Sequence, residues 1–333
     1  MGNKRNALVD ITRVAAAAGI ILSHVDLTGH GAVGVLFGQF LSVRFSLMFF
    51  LAIIGYYVEK AYQAGQMPII RRVSSFVRIY GAWSLVYLAL SFVMLVIVQK
   101  VPLGQFLVSK LKSFFFSGSY YHFWFYPAVI YTLFIIGGMK KLLGNRAVPF
   151  LIPLAAVLYA VGLLGTGYLP IGQQIPWLRS LYAAEAFDAV MHLFFLGFPS
   201  IVFGMAAAQK DRSCSGFLLL IAAAVYAAES VILCLLLGWR EDPQMLASTP
   251  VLTVLFLYWV RSSRLSAAKV NHSLFRVVSA GMYNVHPLFL AVFAVILPEL
   301  DGLGAFVLCV LCSAVFGWVL YCLRKVRLFA LFI

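Results

Sequence analysis

The chain has 333 residues, of which 63% are hydrophobic and only 11% are charged, and its formal net charge is +14. A soluble domain carries about a quarter charged residues, so this composition excludes an ordinary soluble protein. The apolar residues come in continuous runs of about 20, the length that crosses a bilayer as a helix, whereas the strands of a membrane β-barrel would alternate.

We therefore predict an all-α fold, a polytopic transmembrane helical bundle that forms one integral-membrane domain over residues 1–333. The eighth span is the weakest, because "ASTPVLTVLFLYWV" is short and contains a proline. The first apolar run has its small residues before its most apolar part, so we interpret it as an uncleaved first helix rather than a signal peptide. The ten predicted spans are 7–26, 34–58, 79–99, 121–139, 147–166, 187–209, 216–238, 248–261, 278–298 and 303–323.

The distribution of lysine and arginine predicts the orientation of these spans. If the N-terminus lies inside, eighteen basic residues fall in inner segments and five in outer ones. The positive-inside rule then places both termini in the cytoplasm. The same rule accounts for the net positive charge at helix ends, so we predict no nucleic-acid partner and expect membrane lipids to surround the chain.

The first span contains ionisable residues that need an explanation. Arg13 and His24 are eleven residues apart, which places them on one face of a helix, and Asp10 lies one turn before Arg13. Unpaired ionisable groups inside a membrane are costly and mark candidate functional sites. The alternative is that Arg13 reaches the headgroups and His24 lies at the outer interface. The small face between them, around Ala16, Ala17 and Ile20, leaves room for a helix or for a narrow channel.

Further histidines are predicted at the outer ends of spans. His122 opens the fourth span and His192 lies in the outer part of the sixth, with Asp188 and Glu185 close by in sequence. Imidazoles near neutral pH suit proton transfer. Together with His24, these two histidines could also bind zinc, but the spacing of the three is not that of metal ligands, so we predict no metal. Anchoring of the aromatic segment around His122 at the interface is the simpler alternative.

On the inner side of the membrane the sequence predicts a cluster of positively charged residues. Arg71, Arg72 and Arg78 precede the third span, and guanidinium groups suit phosphate binding, although topogenic charge explains Arg71 and Arg72 equally well. His286 is predicted about two turns into the ninth span from the inside, one turn after Tyr283. The outer loop 102–118 reads either as an interfacial helix or as an apolar loop packed on the bundle.

Several of these segments resemble the membrane-bound acyltransferase-3 family. "DITRVAAAAGIILSH" is similar to the family's opening motif, with Asp10, Arg13 and His24 at the matching positions. Two departures concern donor binding: Ile54 stands before Gly55 where serine is common, and the arginines of the basic motif are more widely spaced. The other similar segments follow in the family's order along the chain and are "FVRIY", "HFWFY", "LFFLGFPSIVFGM" and "SAGMYNVHPLFL".

The resemblance implies transfer of an acetyl group from acetyl-CoA, as co-substrate, to a hydroxyl of a surface glycan or lipid-linked saccharide, without a further cofactor. It implies a multi-pass protein of the bacterial cytoplasmic (inner) membrane. His24 could act as general base or accept the acetyl group itself, and the sequence does not choose. The residues expected in these roles are catalytic His24, Arg13 and Asp10; donor-binding Arg71, Arg72, Arg78, Tyr283 and His286; and, on the acceptor side, His122, Trp124, Asp188 and His192.

Two other functional classes are compatible with the sequence. A transporter or flippase for a glycan intermediate would need no acyl-transfer chemistry, but such proteins more often show broken helices or matching halves. A membrane module that senses a small ligand is the third possibility. An acetyl-transfer assay distinguishes the first class from the other two.

Overall fold

The computed structural model describes residues 6–184, 187, 190–210, 212–236, 245–263 and 270–333. Within these ranges every regular element is helical, as predicted. The longer helices are α1 (Ala7–Leu22), α2 (Val43–Gln63), α3 (Ile69–Phe92), α4 (Leu103–Phe116), α5 (Phe125–Leu143), α6 (Ala147–Leu164), α7 (Phe198–Gln209), α8 (Gly216–Leu236), α9 (Thr249–Ser262), α10 (His272–Ile296) and α11 (Gly302–Leu323).

Wider π-helical turns adjoin three of these helices. The segments Leu36–Ser42, Val93–Val98 and Met191–Gly197 lead into α2, out of α3 and into α7, respectively. Such turns are uncommon and frequently occur at functional sites. The third of them contains His192, one of the residues predicted on the acceptor side.

The length and apolar character of the helices identify a membrane protein. Seven helical stretches of the described part are long and apolar enough to cross a bilayer: Arg44–Gln63, Ile69–Val98, Phe125–Leu164, Met191–Gln209, Gly216–Leu236, His272–Ile296 and Gly302–Leu323. The stretch Phe125–Leu164 has 40 residues, about 60 Å of helix and twice the hydrocarbon thickness. Gly144, with φ of 54°, ends α5 before α6 begins, so this stretch contains the fourth and fifth predicted spans.

Two helices start well before their predicted spans. α3 begins at Ile69 rather than at residue 79, and α10 begins at His272 rather than at residue 278. The reason is that hydropathy detects only the apolar part of a helix, whereas both helices open with polar turns. In α10 the side chain of Asn271 caps the helix by accepting a hydrogen bond from the backbone N–H of Leu274 at 3.1 Å.

By its internal contacts the chain forms two compact units. The first unit comprises Met1–Phe50, Lys210–Leu331 and Ile333, and the second comprises Leu51–Gln209 and Phe332. The predicted single functional domain over 1–333 stays a prediction. Each unit carries some of the predicted site residues.

In the first unit, α1 packs against α10 and α11. Ala17 and Ile21 of α1 are fully buried in one apolar cluster with Met282, Phe293 and Cys309. The predicted channel along the small face of α1 is therefore wrong at Ala17, because helix packing fills the space beside its methyl group. Cys309 is fully buried in the same cluster.

In the second unit, α2 and α7 cross in backbone contact. A Cβ atom on Gly55 would lie 1.9 Å from the carbonyl oxygen of Ile201, and one on Gly204 would lie 1.9 Å from that of Ala52. Both distances are far inside van der Waals contact, so only glycine permits this approach. Small residues at a helix crossing are a common packing device in membranes.

Candidate functional site

The first unit contains a buried carboxylate between two helices. Asp10 of α1 is 5% exposed, and its Oδ1 accepts a hydrogen bond from Nη1 of Arg13 at 3.1 Å. Its Oδ2 lies 2.7 Å from Nδ1 of His272, the first residue of α10. The predicted Asp10–Arg13 pair is confirmed as a contact. His272 is an additional member that the sequence did not indicate, because it was assigned to a loop.

At the other end of the same two helices, two imidazoles stack. The rings of His24 and His286 have centroids 5.1 Å apart and planes inclined by 25°. His24 follows α1 and its side chain is exposed, whereas His286 is fully buried in α10. The prediction that His286 lies on the inner side, away from His24, is wrong. The helix begins at His272, which moves His286 to about four turns from its start.

A proline fixes the hydrogen bonding of His286. Pro287 lies inside α10 and has no backbone N–H to donate to the carbonyl of Tyr283, four residues earlier. The Nδ1 of His286 lies 2.8 Å from that carbonyl oxygen, and 3.2 Å from the carbonyl oxygen of Met282. A carbonyl only accepts hydrogen bonds, so Nδ1 carries the proton and Nε2 carries the lone pair.

The two contacts also establish how α1 and α10 run. Asp10 contacts His272, and fourteen residues later in each segment His24 contacts His286. The contacts therefore advance in the same direction along both helices. The helices are therefore parallel over about 21 Å. Tyr283 is buried one turn before His286, with its ring centroid 6.2 Å away. The predicted role of Tyr283 in donor binding stays a prediction.

The three predicted donor-binding arginines lie on α3 in the second unit. Arg71 and Arg78 are seven residues apart on the helix, so they lie on one face, and both are exposed. Arg72 lies about 100° away from Arg71, and its Nη2 donates to the carbonyl oxygen of Tyr57 at 3.1 Å. The geometry thus separates Arg72, which contacts the backbone of α2, from the exposed pair.

The second unit also contains a cavity of about 460 Å³. Trp124 and His192, both predicted on the acceptor side, line it with ring centroids 4.5 Å apart. His122 does not line the cavity but is buried, with its ring 4.0 Å from that of Phe123. Asp188 and Glu185 lie outside the described residues. The lining residues are Lys110, Ser113, Ser117, Gly118, Ser119, Tyr120, Tyr121, Trp124 and His192.

A glycine and a tyrosine shape the cavity wall. Gly118 has φ of 89°, and a Cβ atom there would lie 2.4 Å from the backbone nitrogen of Trp124. Only glycine therefore allows the chain to pass so close to the segment that carries Trp124. The hydroxyl of Tyr80 donates to the carbonyl oxygen of Phe114 at 2.7 Å and accepts from the N–H of Ser119 at 2.9 Å.

Lys110 is a cavity residue that sequence reasoning missed. It lies on α4, and its Nζ donates to the carbonyl oxygen of Ser119 at 3.4 Å. Partial burial lowers the pKa of Lys110, and burial also raises the pKa of the neighbouring Tyr120 hydroxyl. The sequence showed two lysines on this segment, Lys110 and Lys112, and gave no signal that only the first lines a cavity.

A buried ion pair in the second unit was also missed. Nζ of Lys140 on α5 lies 2.7 Å from Oε2 of Glu59 on α2, with side chains 5% and 3% exposed. Gln209 donates to Oε1 of Glu59 at 3.4 Å, and Lys140 lies 5.1 Å from the ring centroid of Tyr62. In the sequence Lys140 is only one of the eighteen basic residues of the inner segments, and nothing there pairs it with Glu59.

No family model and no solved structure matches the chain. A stretch of 145 residues, 42% of the chain, is 27% identical to an amino-acid racemase of Enterococcus faecalis. The chain spans only 20% of that protein's length.

Proposed function

We propose that the chain is a membrane-embedded O-acyltransferase, which transfers an acetyl group from cytoplasmic acetyl-CoA to a hydroxyl of a surface glycan or lipid-linked saccharide. The observation that carries the proposal is the contact between His24 and His286. An exposed imidazole can accept a proton from a substrate hydroxyl, and the buried imidazole stacked on it holds its ring in place. The resemblance of both segments to the acyltransferase-3 family motifs supports the same reading.

In the proposed reaction His24 is the general base. The acceptor hydroxyl oxygen attacks the thioester carbonyl, a C–O bond forms and the C–S bond breaks. The hydroxyl proton passes to His24, which then delivers it to the CoA thiolate. Asp10, held by Arg13 and His272, fixes α1 against α10 and thereby positions His24 over His286.

The proposed donor site includes the exposed pair Arg71 and Arg78. Their spacing of two helical turns allows both guanidinium groups to contact CoA phosphates. We assign Arg72 a supporting role, since it contacts the backbone of α2. Tyr283 remains a candidate for the donor side, whereas we move His286 to the reacting centre because of its contact with His24.

We further propose ten spans with both termini in the cytoplasm of a bacterial inner membrane. The eighteen-to-five distribution of basic residues supports this orientation. The parallel course of α1 and α10 also supports it, because parallel helices need an odd number of crossings between them. The ten-span scheme places seven crossings between the first and the ninth spans.

The test is acetyl transfer by purified protein. With labelled acetyl-CoA and membrane glycan fractions as acceptor, His24→Asn should lower the transfer rate at least a hundredfold, the usual effect of removing a general base. His30→Asn is the matched control, because His30 is an exposed histidine of the same unit whose ion-pair partner is Asp301. Equal rates for the two variants, both folded, would refute the role of His24.

The same preparation tests the alternatives. A flippase would move a labelled lipid-linked saccharide across proteoliposomes without acetyl-CoA and without changing it chemically. The match to the amino-acid racemase covers only 20% of that protein's length, so it does not support racemisation by this chain. A chiral assay with a panel of amino acids checks it directly.

A further inference from the structure

The cavity of the second unit brings together three kinds of side chain that recognise different parts of a ligand. Trp124, Tyr120 and Tyr121 provide aromatic surfaces, Ser113 and Ser117 provide hydroxyls, and Lys110 provides a cation. Its volume of about 460 Å³ lies in the range of small-molecule sites. The combination goes beyond what a purely apolar ligand would need.

The aromatic and hydroxyl groups fit a saccharide. Sugar rings have apolar C–H faces that pack on flat aromatic surfaces, and hydroxyl rims that exchange hydrogen bonds with side-chain hydroxyls. The Trp124 ring is held against His192 at a centroid distance of 4.5 Å. Tyr120 and Tyr121 also contact each other, with centroids 4.9 Å apart. Rings that pack on neighbouring rings in this way need less rearrangement to bind a ligand, which reduces the entropy cost of binding.

Lys110 indicates that the ligand carries a negative charge. Its Nζ is partly desolvated, and its polar partner within the described residues is the Ser119 carbonyl oxygen at the long distance of 3.4 Å. Among the described residues that line the cavity, no carboxylate accompanies this ammonium group. A desolvated cation is stabilised when an anion binds beside it, through a charge-assisted hydrogen bond.

We infer that the cavity binds a saccharide that bears an anionic group, a carboxylate or a phosphate, with the sugar against Trp124 and the anion at Lys110. Nothing in the overall charge or in the predicted acceptor residues pointed to an anionic ligand. The identification of this saccharide as the acceptor rests on the proposed function. The binding itself does not, so it is tested without acetyl-CoA.

The experiment measures the binding of four small probes to the purified full-length protein by saturation-transfer NMR and competition. Methyl glucuronide and methyl glucoside differ in one carboxylate, whereas glucose 1-phosphate and inorganic phosphate share the phosphate but differ in the sugar. We expect methyl glucuronide to bind about tenfold more tightly than methyl glucoside, as expected for one charge-assisted contact. Glucose 1-phosphate should bind more tightly than inorganic phosphate.

The variants separate the two halves of the site. Lys110→Met should remove the preference for the charged sugar, Lys110→Arg should keep it, and Trp124→Phe should weaken both sugars less than Trp124→Ala does. Lys112→Met is the matched control, because Lys112 lies on the same helix and does not line the cavity. Thermal denaturation of each variant verifies that it is folded, and Lys110→Gln replaces Lys110→Met if the latter is not.

Three results would overturn the inference. They are equal affinity for charged and neutral sugars, equal effects of Lys110→Met and Lys112→Met, and inorganic phosphate binding as tightly as glucose 1-phosphate. The last would leave a plain anion site. Selective binding together with absent acetyl transfer would instead refute the proposed function and leave this inference intact.

Discussion

The two units have a similar arrangement of buried charge and candidate site, but the chemistry of their sites differs. In each, a buried carboxylate joins two helices, and a candidate site lies at the far end of one of these helices. Asp10 and His24 are about 21 Å apart along α1, and Lys140, the partner of Glu59, is sixteen residues or about 24 Å from Trp124 along α5. The sites differ, since one is a stack of two imidazoles and the other is a cavity with a cation and hydroxyls.

The carboxylate clusters differ in how completely they are buried. Glu59 and Lys140 have side chains 3% and 5% exposed, whereas Arg13 and His272 around Asp10 are 17% and 21% exposed. A fully desolvated ion pair is costly to break, because the remaining charge has no water to stabilise it. The comparison therefore predicts a larger effect of mutation in the second unit than in the first.

The largest effect is expected from Lys140→Met. The change leaves Glu59 without its cation, and breaking a buried ion pair costs about 3–5 kcal/mol. Thermal denaturation in detergent should show a large loss of stability. Lys141→Met is the control, since Lys141 is exposed on the next position of the same helix. The double variant Glu59→Met/Lys140→Met should recover much of the loss, and a double variant no more stable than the single one would contradict this account.

A smaller effect is expected from Asp10→Asn. It removes one charge that accepts from Arg13 and His272, and charged hydrogen bonds contribute about 1.5–3 kcal/mol. The partial exposure of both partners places the loss near the lower end of that range. Denaturation compared with Asp26→Asn, an exposed aspartate of the same unit, measures it. A loss of stability as large as that of Lys140→Met would show that the exposure of the partners does not determine which cluster contributes more to stability.

The two clusters also show what the sequence could and could not predict. Asp10 and Arg13 are three residues apart, so helix periodicity alone places them in contact. Glu59 and Lys140 are 81 residues apart, and only the tertiary fold brings them together. His272 was missed for a different reason, since a polar first turn hides the start of α10 from hydropathy.

The candidate sites show the same distinction between what position along the chain predicts and what only the folded structure reveals. Trp124 and His192 were predicted on one side from their positions at span ends, and the structure places both in one cavity. His286 was assigned to the wrong depth because its helix begins six residues before its apolar run. Neither periodicity nor hydropathy distinguishes Lys110 from Lys112, because the difference depends on the chain at 117–119, which folds back through Gly118.

The smallest effect concerns pH and the cavity alone. Since burial lowers the pKa of Lys110, its ammonium group should lose its proton at a lower pH than the usual value for lysine, about 10.4. Neutral Lys110 no longer attracts an anion, so the affinity for methyl glucuronide should fall severalfold as the pH rises, and the fall should begin below the pH at which an ordinary lysine titrates. His192 also lines the cavity, and it is present in the Lys110→Arg variant as well, so that variant controls for it. Burial raises the pKa of Tyr120, so its hydroxyl loses its proton at a higher pH than an ordinary tyrosine.

Lys110→Arg shows whether the loss of affinity comes from Lys110 itself, because a guanidinium group remains charged at the pH values at which lysine loses its proton. Its affinity should stay level while that of the wild type falls. The stacked imidazoles of the first unit should not influence the titration, so His24→Asn should behave like the wild type. A wild-type affinity that stays as level with pH as that of Lys110→Arg would show that Lys110 does not hold the anion. The cavity would then lack the cation that distinguishes it chemically from the imidazole pair of the first unit.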